Sequence, residues 1–215
     1  MILIIQLLLL ISPSKTKAAE FDVGALPGCP DSCGGVTIPY PFGIGPNCSL
    51  SEVFELICKA TINGTFAPHW GDFMLLDISL TLGQARMTNP ISSQCYNRTT
   101  KKENYNDWKF DSGAFWFNHE KNKFFVIGCD TLAYVNFTND ENSYLGGCVS
   151  GCNSLETLTD GSCSGIGCCE TSIPKGPYYL NFWFDDNFNS SMVSNFSPCS
   201  HALLREEAGF MFNTD

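Results

Sequence analysis

Alternation of apolar and polar residues is the dominant pattern along this chain. In residues 73–82 every even-numbered position is apolar, and Asp77, Ser79 and Thr81 lie between them. A period of two residues is the repeat of a β-strand, because successive side chains point to opposite faces of a sheet. We therefore predict a half-buried strand over residues 73–82.

Further segments rich in aromatic and β-branched residues also predict strands. Residues 113–129 contain two aromatic-rich runs separated by the polar stretch 118–123, which favours a hairpin with a long loop. Helical periodicity is scarce, and its one candidate is residues 200–208, with Gly209 as a stop signal. The remaining predicted strands are residues 131–138, 178–184 and 209–212.

These elements predict an all-β fold, namely a disulfide-rich, short-stranded, β sandwich-like module with a cysteine-rich, loop-rich C-terminal part. The amino-acid composition changes near residue 140, since residues 146–170 hold five of the twelve cysteines among glycines and serines. We predict a β module over residues 20–140. We also predict a cysteine-rich module over residues 141–215 that packs on the first or continues it.

The N-terminus has the pattern of a secretory signal peptide. Residues 2–11 form an apolar run with one interruption, and two lysines and two alanines follow it. The run is shorter than the roughly 20 residues that a bilayer span needs. We predict a signal peptide over residues 1–19, with cleavage near Ala18 or Ala19, and a signal anchor is the alternative.

All twelve cysteines follow the predicted signal peptide, and an even count in an exported chain favours six disulfides. Zinc binding is the alternative, because Cys29 and Cys33, and also Cys148 and Cys152, are close pairs. Neither pair has the C-x2-C spacing of a zinc ribbon. We therefore predict no metal site, and the predicted disulfide cysteines are Cys29, Cys33, Cys48, Cys58, Cys95, Cys129, Cys148, Cys152, Cys163, Cys168, Cys169 and Cys199.

Six asparagines stand in N-x-S/T sequons, which are acceptor sites for N-linked glycans in exported proteins. Any asparagine that carries a glycan must face solvent. The sequons therefore indicate the same compartment as the cysteines. The predicted glycosylation sites are Asn47, Asn63, Asn97, Asn136, Asn189 and Asn195.

The charge of the chain argues against a general binder of polyanions. The formal net charge is −10, and removal of the two lysines of the predicted signal peptide makes it more negative. Nucleic acid is excluded as a partner, since its phosphates need an excess of basic residues. An acidic ligand requires a local basic cluster or a bridging cation.

Four motifs resemble one family, in the order in which that family has them. CGGVTIPYPFG at 33–43, followed by Cys48, resembles the start of the galacturonan-binding domain of plant wall-associated receptor kinases, whose signature is C-G-x-x-x-I-P-Y-P-F-G. The later cysteine-rich part of the same extracellular regions is similar to residues 147–154, 163–176 and 197–212. The resemblance covers nearly the whole chain after the predicted signal peptide.

The resemblance implies a secreted or extracellular module of the plant cell wall that binds pectin or oligogalacturonides, in the form of de-esterified galacturonan. It implies no cofactor, although calcium can enter through the pectin ligand. Full-length relatives continue into a membrane span and a kinase, whereas this chain has no predicted span after residue 20 and no kinase signature. The module is therefore predicted to be non-catalytic.

A galacturonate ligand needs cations for its carboxylates and aromatic faces or amides for its sugar rings. Residues 94–109 give the densest match, as a local positive cluster in an acidic chain. A solvated loop is the alternative reading, and a glycan on Asn97 would sit in the middle of the cluster. The predicted pectin-binding residues are Arg98, Lys101, Lys102, Lys109, Tyr105 and Trp108.

The proline-rich stretch 33–48 has two readings. Pro39 and Pro41 fix backbone angles and favour extended neighbours, so the stretch suits a rigid structural clip with its aromatic rings packed inward. The alternative is a platform on which Tyr40 and Phe42 stack against sugar rings.

Other functional classes have weaker support. The paired acids Asp185–Asp186 and Glu206–Glu207 point to opposite faces of a strand, so neither is a natural acid–base pair, and no G-x-S-x-G motif is present. The alternative function is a secreted module that recognises a protein or peptide ligand without binding pectin. The acidic charge favours that alternative.

Overall fold

The computed structural model of the protein describes residues 3–6 and 24–214. Within these ranges it consists of β-strands and three short 3-10 helices, without an α-helix, so the all-β prediction is confirmed. None of these helices has the length and apolarity to cross a bilayer. The 3-10 helices are Glu52–Phe54, Leu155–Thr157 and Glu207–Gly209.

The chain forms two compact units, Ile2–Asn89 and Pro90–Asp215. The strands of the first unit are β1 (Leu3–Gln6), β2 (Ser32–Cys33), β3 (Val36–Thr37), β4 (Gly43–Ile44), β5 (Glu55–Ala60), β6 (Phe66–Trp70), β7 (Phe73–Ser79) and β8 (Gln84–Met87). The strands of the second unit are β9 (Ser92–Asn97), β10 (Lys102–Asn106), β11 (Lys109–Asp111), β12 (Trp116–Phe117), β13 (Asn122–Ile127), β14 (Thr131–Thr138), β15 (Ser143–Ser150), β16 (Cys168–Ser172), β17 (Tyr179–Phe184) and β18 (Cys199–Glu206).

The first unit contains a sheet with the strand order β1-β8-β7-β6-β5-β4. Its strands pair antiparallel, except for β4 and β5, which are parallel. β1 lies within the predicted signal peptide, and its Leu3, Ile4 and Ile5 are buried against the sheet. The predicted cleavage site near Ala18 or Ala19 lies outside the described residues.

The second unit contains two antiparallel sheets. One has the order β10-β9-β18-β13-β16 and the other has the order β11-β17-β14-β15. They face each other through buried aromatic rings, since Phe124 of β13 stacks on Phe182 of β17 with centroids 5.5 Å apart. Alternation decides which side chains enter this layer, as every second residue of Thr131–Thr138 is buried.

The other face of β13 is also covered. Phe125 packs with the buried residues Cys168, Leu203 and Phe212, and its ring lies 4.1 Å from that of Phe210. The segment 209–212, which we predicted as a strand, is therefore a non-strand segment that covers this cluster.

The six disulfides expected from the cysteine count are present, and no cysteine is left free among the described residues. Each bridge joins two cysteines of the same unit. The pairs are Cys29–Cys48, Cys33–Cys58, Cys95–Cys199, Cys129–Cys152, Cys148–Cys169 and Cys163–Cys168.

The strand predicted at residues 73–82 is shorter and less regular than its sequence pattern. It ends at Ser79, and residues 80–83 form a turn that leaves Leu82 62% exposed. A bulge between Leu75 and Asp77 changes the phase of the strand, so the buried residues are Leu75 and Ile78. The even-numbered positions therefore do not share one face.

The helix predicted at residues 200–208 is wrong. Cys199–Glu206 is a strand, β18, that pairs with β9 on one side and β13 on the other. Its run Ala202, Leu203 and Leu204 is buried because a central strand is covered on both faces, and such a run lacks the alternation of a half-exposed strand.

The hairpin predicted within residues 113–129 is also wrong. Its second run became β13, whose two edges are already paired with β16 and β18. The loop before it is closed by Asn118, whose carbonyl oxygen accepts the amide of Asn122 at 3.0 Å.

The boundary predicted near residue 140 differs from the division seen in the structure. Strands on both sides of that position share each sheet of the second unit, since β14 pairs with β15 and β13 pairs with β16. The compact units divide instead between Asn89 and Pro90.

Candidate functional site

The stretch 33–48 packs inward, as expected for a structural clip. Phe42 is 1% exposed, and its ring meets the edge of Phe54 at a centroid distance of 5.3 Å. Ile38 is fully buried and Tyr40 is half-buried. A sugar ring has no access to Phe42, so the platform reading fails for that residue.

Two glycines of the same stretch lie against backbone that leaves no room for a side chain. A Cβ on Gly34 would stand 1.6 Å from the carbonyl oxygen of Phe66, and a Cβ on Gly43 would stand 2.1 Å from that of Cys48. These glycines allow the clip to lie directly on β6 and on its own disulfide loop. The residues of this motif therefore pack the clip against the first unit.

An open depression of about 660 Å³ lies beside the clip in the first unit. Phe66 on its rim is 57% exposed, and His69 is half-buried. The Nδ1 of His69 donates to the carbonyl oxygen of Ala67 at 3.0 Å, which leaves Nε2 as the acceptor of the neutral ring. Residues around the depression include Gly34, Val36, Thr61, Phe66, His69 and Met74.

The predicted basic cluster forms the tip of a hairpin in the second unit. β9 and β10 pair from Asn97–Lys102 to Ser93–Asn106, and residues 98–101 make the turn between them. Lys101 and Lys102 are exposed. The guanidinium of Arg98 donates to the carbonyl oxygen of Ser194, which fixes one end of that side chain.

Asn97 shapes the same turn. Its side-chain oxygen accepts the amides of Thr99 and Thr100 at 2.9 and 3.0 Å. Asn97 is the cross-strand partner of Lys102, so the two side chains share one face of the hairpin. A glycan on Asn97 would stand directly beside Lys102.

The opposite face of β10 is acidic and partly buried. Tyr105 donates to Asp186 at 3.3 Å and accepts from Gln94 at 3.4 Å, and burial, followed by Asp186, raises the pKa of Tyr105. Both carboxylate oxygens of Glu103 are shielded from solvent without a hydrogen bond of ordinary geometry to a described residue. Burial raises the pKa of Glu103, and the backbone of Ser190 opposes the rise.

Trp108 and Lys109 lie apart from the hairpin tip. Trp108 is half-buried between Phe110 and Phe182, with ring centroids 5.7 and 5.6 Å away. Lys109 is exposed on β11 opposite Asn181, in the four-stranded sheet. The structure thus brings Arg98, Lys101 and Lys102 together at one tip, whereas Tyr105, Trp108 and Lys109 face other surroundings.

Residues 29–89, which contain the clip and the depression, match the family model described as wall-associated receptor kinase galacturonan-binding. This segment belongs to that family. The matched segment, residues 29–89, coincides with the first unit from its first disulfide to its last strand.

Similarity to wall-associated receptor kinases extends over most of the chain. Wall-associated receptor kinase 2 of Arabidopsis thaliana is 34% identical over 187 residues, which cover 86% of this chain and 24% of that protein. Wall-associated receptor kinase 4 of the same plant is 30% identical over 200 residues, with coverages of 87% and 25%. The chain therefore spans about a quarter of the length of these relatives. No solved structure matches it.

The predicted basic cluster lies outside the segment that matches the family model. Inside residues 29–89 two basic residues, Lys59 and Arg86, stand against five acidic ones, a balance of −3. Sequence reasoning looked for cations and missed the depression, which is rimmed by aromatic and aliphatic groups. The sequence signal for this region was the Asn-Gly pair at 63–64, which is typical of a hairpin turn and lies between β5 and β6 at the rim of the depression.

Proposed function

We propose that the protein binds de-esterified galacturonan of the plant cell wall outside the cell, without catalysing a reaction on it. The match of residues 29–89 to a galacturonan-binding family carries this proposal. Six disulfides support an oxidising, extracellular compartment.

The hairpin tip is the proposed contact for galacturonate carboxylates. Lys101 and Lys102 are exposed, and the Arg98 guanidinium has further N–H donors beside the one that binds Ser194. Because the matched segment 29–89 is itself net negative, attraction of a polyanion requires basic residues elsewhere or a bridging calcium ion. Lys109, Tyr105 and Trp108 remain proposed contacts of lower rank, since they do not share this tip.

The depression is the proposed contact for the sugar rings. Phe66 presents an exposed aromatic face, and Nε2 of His69 can accept a sugar hydroxyl. Sugar binding combines such apolar faces with a few directed polar groups.

Binding of the secreted protein to oligogalacturonides, measured by calorimetry at several salt and calcium concentrations, tests the proposal. Reversal of both Lys101 and Lys102 to Glu is expected to weaken binding about tenfold, because each exposed charge contact contributes up to about 1 kcal/mol. Lys175→Glu, at an exposed position away from the hairpin, is the matched control and is expected to bind normally.

Separate variants distinguish the two surfaces. Phe66→Ser tests the depression, and Asn97→Gln tests whether a glycan shields Lys102. Binding that needs calcium and ignores the lysine reversals refutes the hairpin as the contact but retains the function. An absence of binding in every buffer refutes the function and favours a protein or peptide ligand.

A further inference from the structure

The outer face of the four-stranded sheet in the second unit is an apolar surface with a sequon at its centre. Alternation turns Phe137 inward, where it is 1% exposed, and turns Asn136 and Thr138 of the same sequon outward. Asn136 lies between Asn181 of β17 and Leu145 of β15. A glycan on this asparagine would therefore start in the middle of the sheet.

Two aromatic rings lie beside that point. Tyr134 precedes Asn136 by two positions on the same face, and Trp183 is its cross-strand partner, with ring centroids 5.7 Å apart. Tyr134 donates to Asp185 at 3.2 Å, which fixes its ring. Gly147 stands opposite Tyr134, and a Cβ there would lie 3.0 Å from a carbon of the ring, so the ring occupies the space of the missing side chain.

The same face exposes aliphatic groups that no described residue covers. Leu145 is 67% exposed and Val149 is 50% exposed, and Leu132, across from Val149, is half-buried. An exposed apolar patch of this kind marks a surface that is covered by a ligand or by another group. Because the glycan acceptor Asn136 lies at the centre of the patch, an N-linked glycan is the group that can cover it.

We propose that Asn136 carries an N-linked glycan whose first sugars lie on Tyr134 and Trp183 and cover this sheet face. Attachment forms a bond from Nδ2 to the anomeric carbon of the sugar. The bond from that carbon to the pyrophosphate of a lipid-linked oligosaccharide donor breaks, and Nδ2 loses one proton. The geometry suits the product, because Ser143 donates to the side-chain oxygen at 2.6 Å and Nδ2 makes no hydrogen bond to a described residue.

Two variants remove this glycan in different ways when the full chain is secreted from a glycosylating host. Asn136→Gln removes the acceptor, and Thr138→Ala destroys the sequon but keeps Asn136. Thr138→Ser keeps the sequon and controls for the change at Thr138, and Asn63→Gln removes a sequon from an exposed turn. Mass spectrometry of glycopeptides reports the occupancy of each site.

Loss of the Asn136 glycan is expected to lower Tm by about 3 °C and to increase binding of a hydrophobic dye, whereas Asn63→Gln and Thr138→Ser leave both unchanged. Trp183→Ser is expected to lower Tm less in the Thr138→Ala background than in the parent, since ring and glycan are coupled. Trimming all glycans to one sugar is expected to leave Tm between that of the parent and that of Asn136→Gln, because the remaining sugar still lies beside Tyr134 and Trp183.

Three results would overturn the proposal. They are an unoccupied Asn136, a Tm for Asn136→Gln equal to that of Asn63→Gln, and additive effects of Trp183→Ser and Thr138→Ala. An unoccupied site together with quenching of tryptophan fluorescence by neutral oligosaccharides would instead assign the face to a free sugar ligand. None of these measurements depends on galacturonan binding.

Discussion

Substitution of Gly34 tests the packing of the clip on β6. Gly34 has φ +58° and Gly35 has φ +83°, so a residue with a side chain at either position must adopt an unfavourable left-handed backbone conformation. That conformation costs about 1–2 kcal/mol outside glycine. A Cβ on Gly35 meets nothing within 4 Å, whereas a Cβ on Gly34 would stand 1.6 Å from the Phe66 carbonyl oxygen.

The contact with the Phe66 carbonyl oxygen, which only Gly34 makes, gives the two neighbouring glycines different expected losses of stability. The Phe66 carbonyl belongs to β6, which is paired with β5 at Ala60, so the backbone must shift to admit the methyl group. Forced overpacking costs about 1–3 kcal/mol. Gly34→Ala is therefore expected to destabilise by roughly 2–5 kcal/mol and Gly35→Ala by roughly 1–2 kcal/mol.

Thermal unfolding of the secreted variants, without reductant, measures the difference. One kcal/mol shifts Tm by about 2–4 °C in a chain of this size, so Gly34→Ala should fall by about 10 °C and Gly35→Ala by about 4 °C. Gly24→Ala, with an ordinary φ and open surroundings, is the neutral control. A Gly34→Ala variant with the same Tm as Gly35→Ala would refute the contact with Phe66. If Gly34→Ala is retained in the cell while Gly35→Ala is secreted, that result supports the contact.

Two further predictions concern buried charge and crosslinks. Because burial raises the folded-state pKa of Glu103, the folded protein binds its proton more tightly than the unfolded chain, and this contribution is present at low pH and lost as pH rises through the folded pKa. Glu103→Gln is thus expected to raise Tm by about 2 °C at neutral pH and to leave it unchanged at about pH 3.5, and equal effects at both pH values would contradict this. Replacing both Cys95 and Cys199 by Ala is expected to lower the free energy of unfolding by about 4.7 kcal/mol, because this bridge closes a loop with a separation of 104 residues. Replacing both Cys163 and Cys168 is expected to lower it by about 2 kcal/mol, because their separation is 5 residues. Denaturant unfolding measures both losses, and a reversed order would exclude loop closure as the cause.

Strands with one exposed face were predictable from sequence, and strands with two covered faces were not. Thr131–Thr138 alternates strictly because only one side of its sheet is covered, and period-two analysis found it. Cys199–Glu206 is central and covered on both faces, so its apolar residues are consecutive and imitate a helical stripe. The bulge after Leu75 likewise has no signal in a pattern of apolar positions.

The candidate site was predictable only where it depended on local sequence. The cations of the hairpin tip are close in sequence, and the turn at residues 98–101 keeps them together. Lys109 is seven residues from Lys102, yet it pairs with Asn181 in another sheet, and no local pattern reveals that partner. The depression beside Phe66 likewise depends on the clip, which contributes Gly34 from about thirty positions away.

The position of β18 between β9 and β13 constrains how the chain is made. Cys199 lies 104 residues after its partner Cys95, so the centre of the five-stranded sheet is supplied late in synthesis. In an exported chain, the gap between β9 and β13 stays open until β18 is made, about 100 residues after β9 and about 70 residues after β13. We therefore expect chaperones and disulfide-forming enzymes to protect that gap from aggregation and to keep Cys95 available for Cys199.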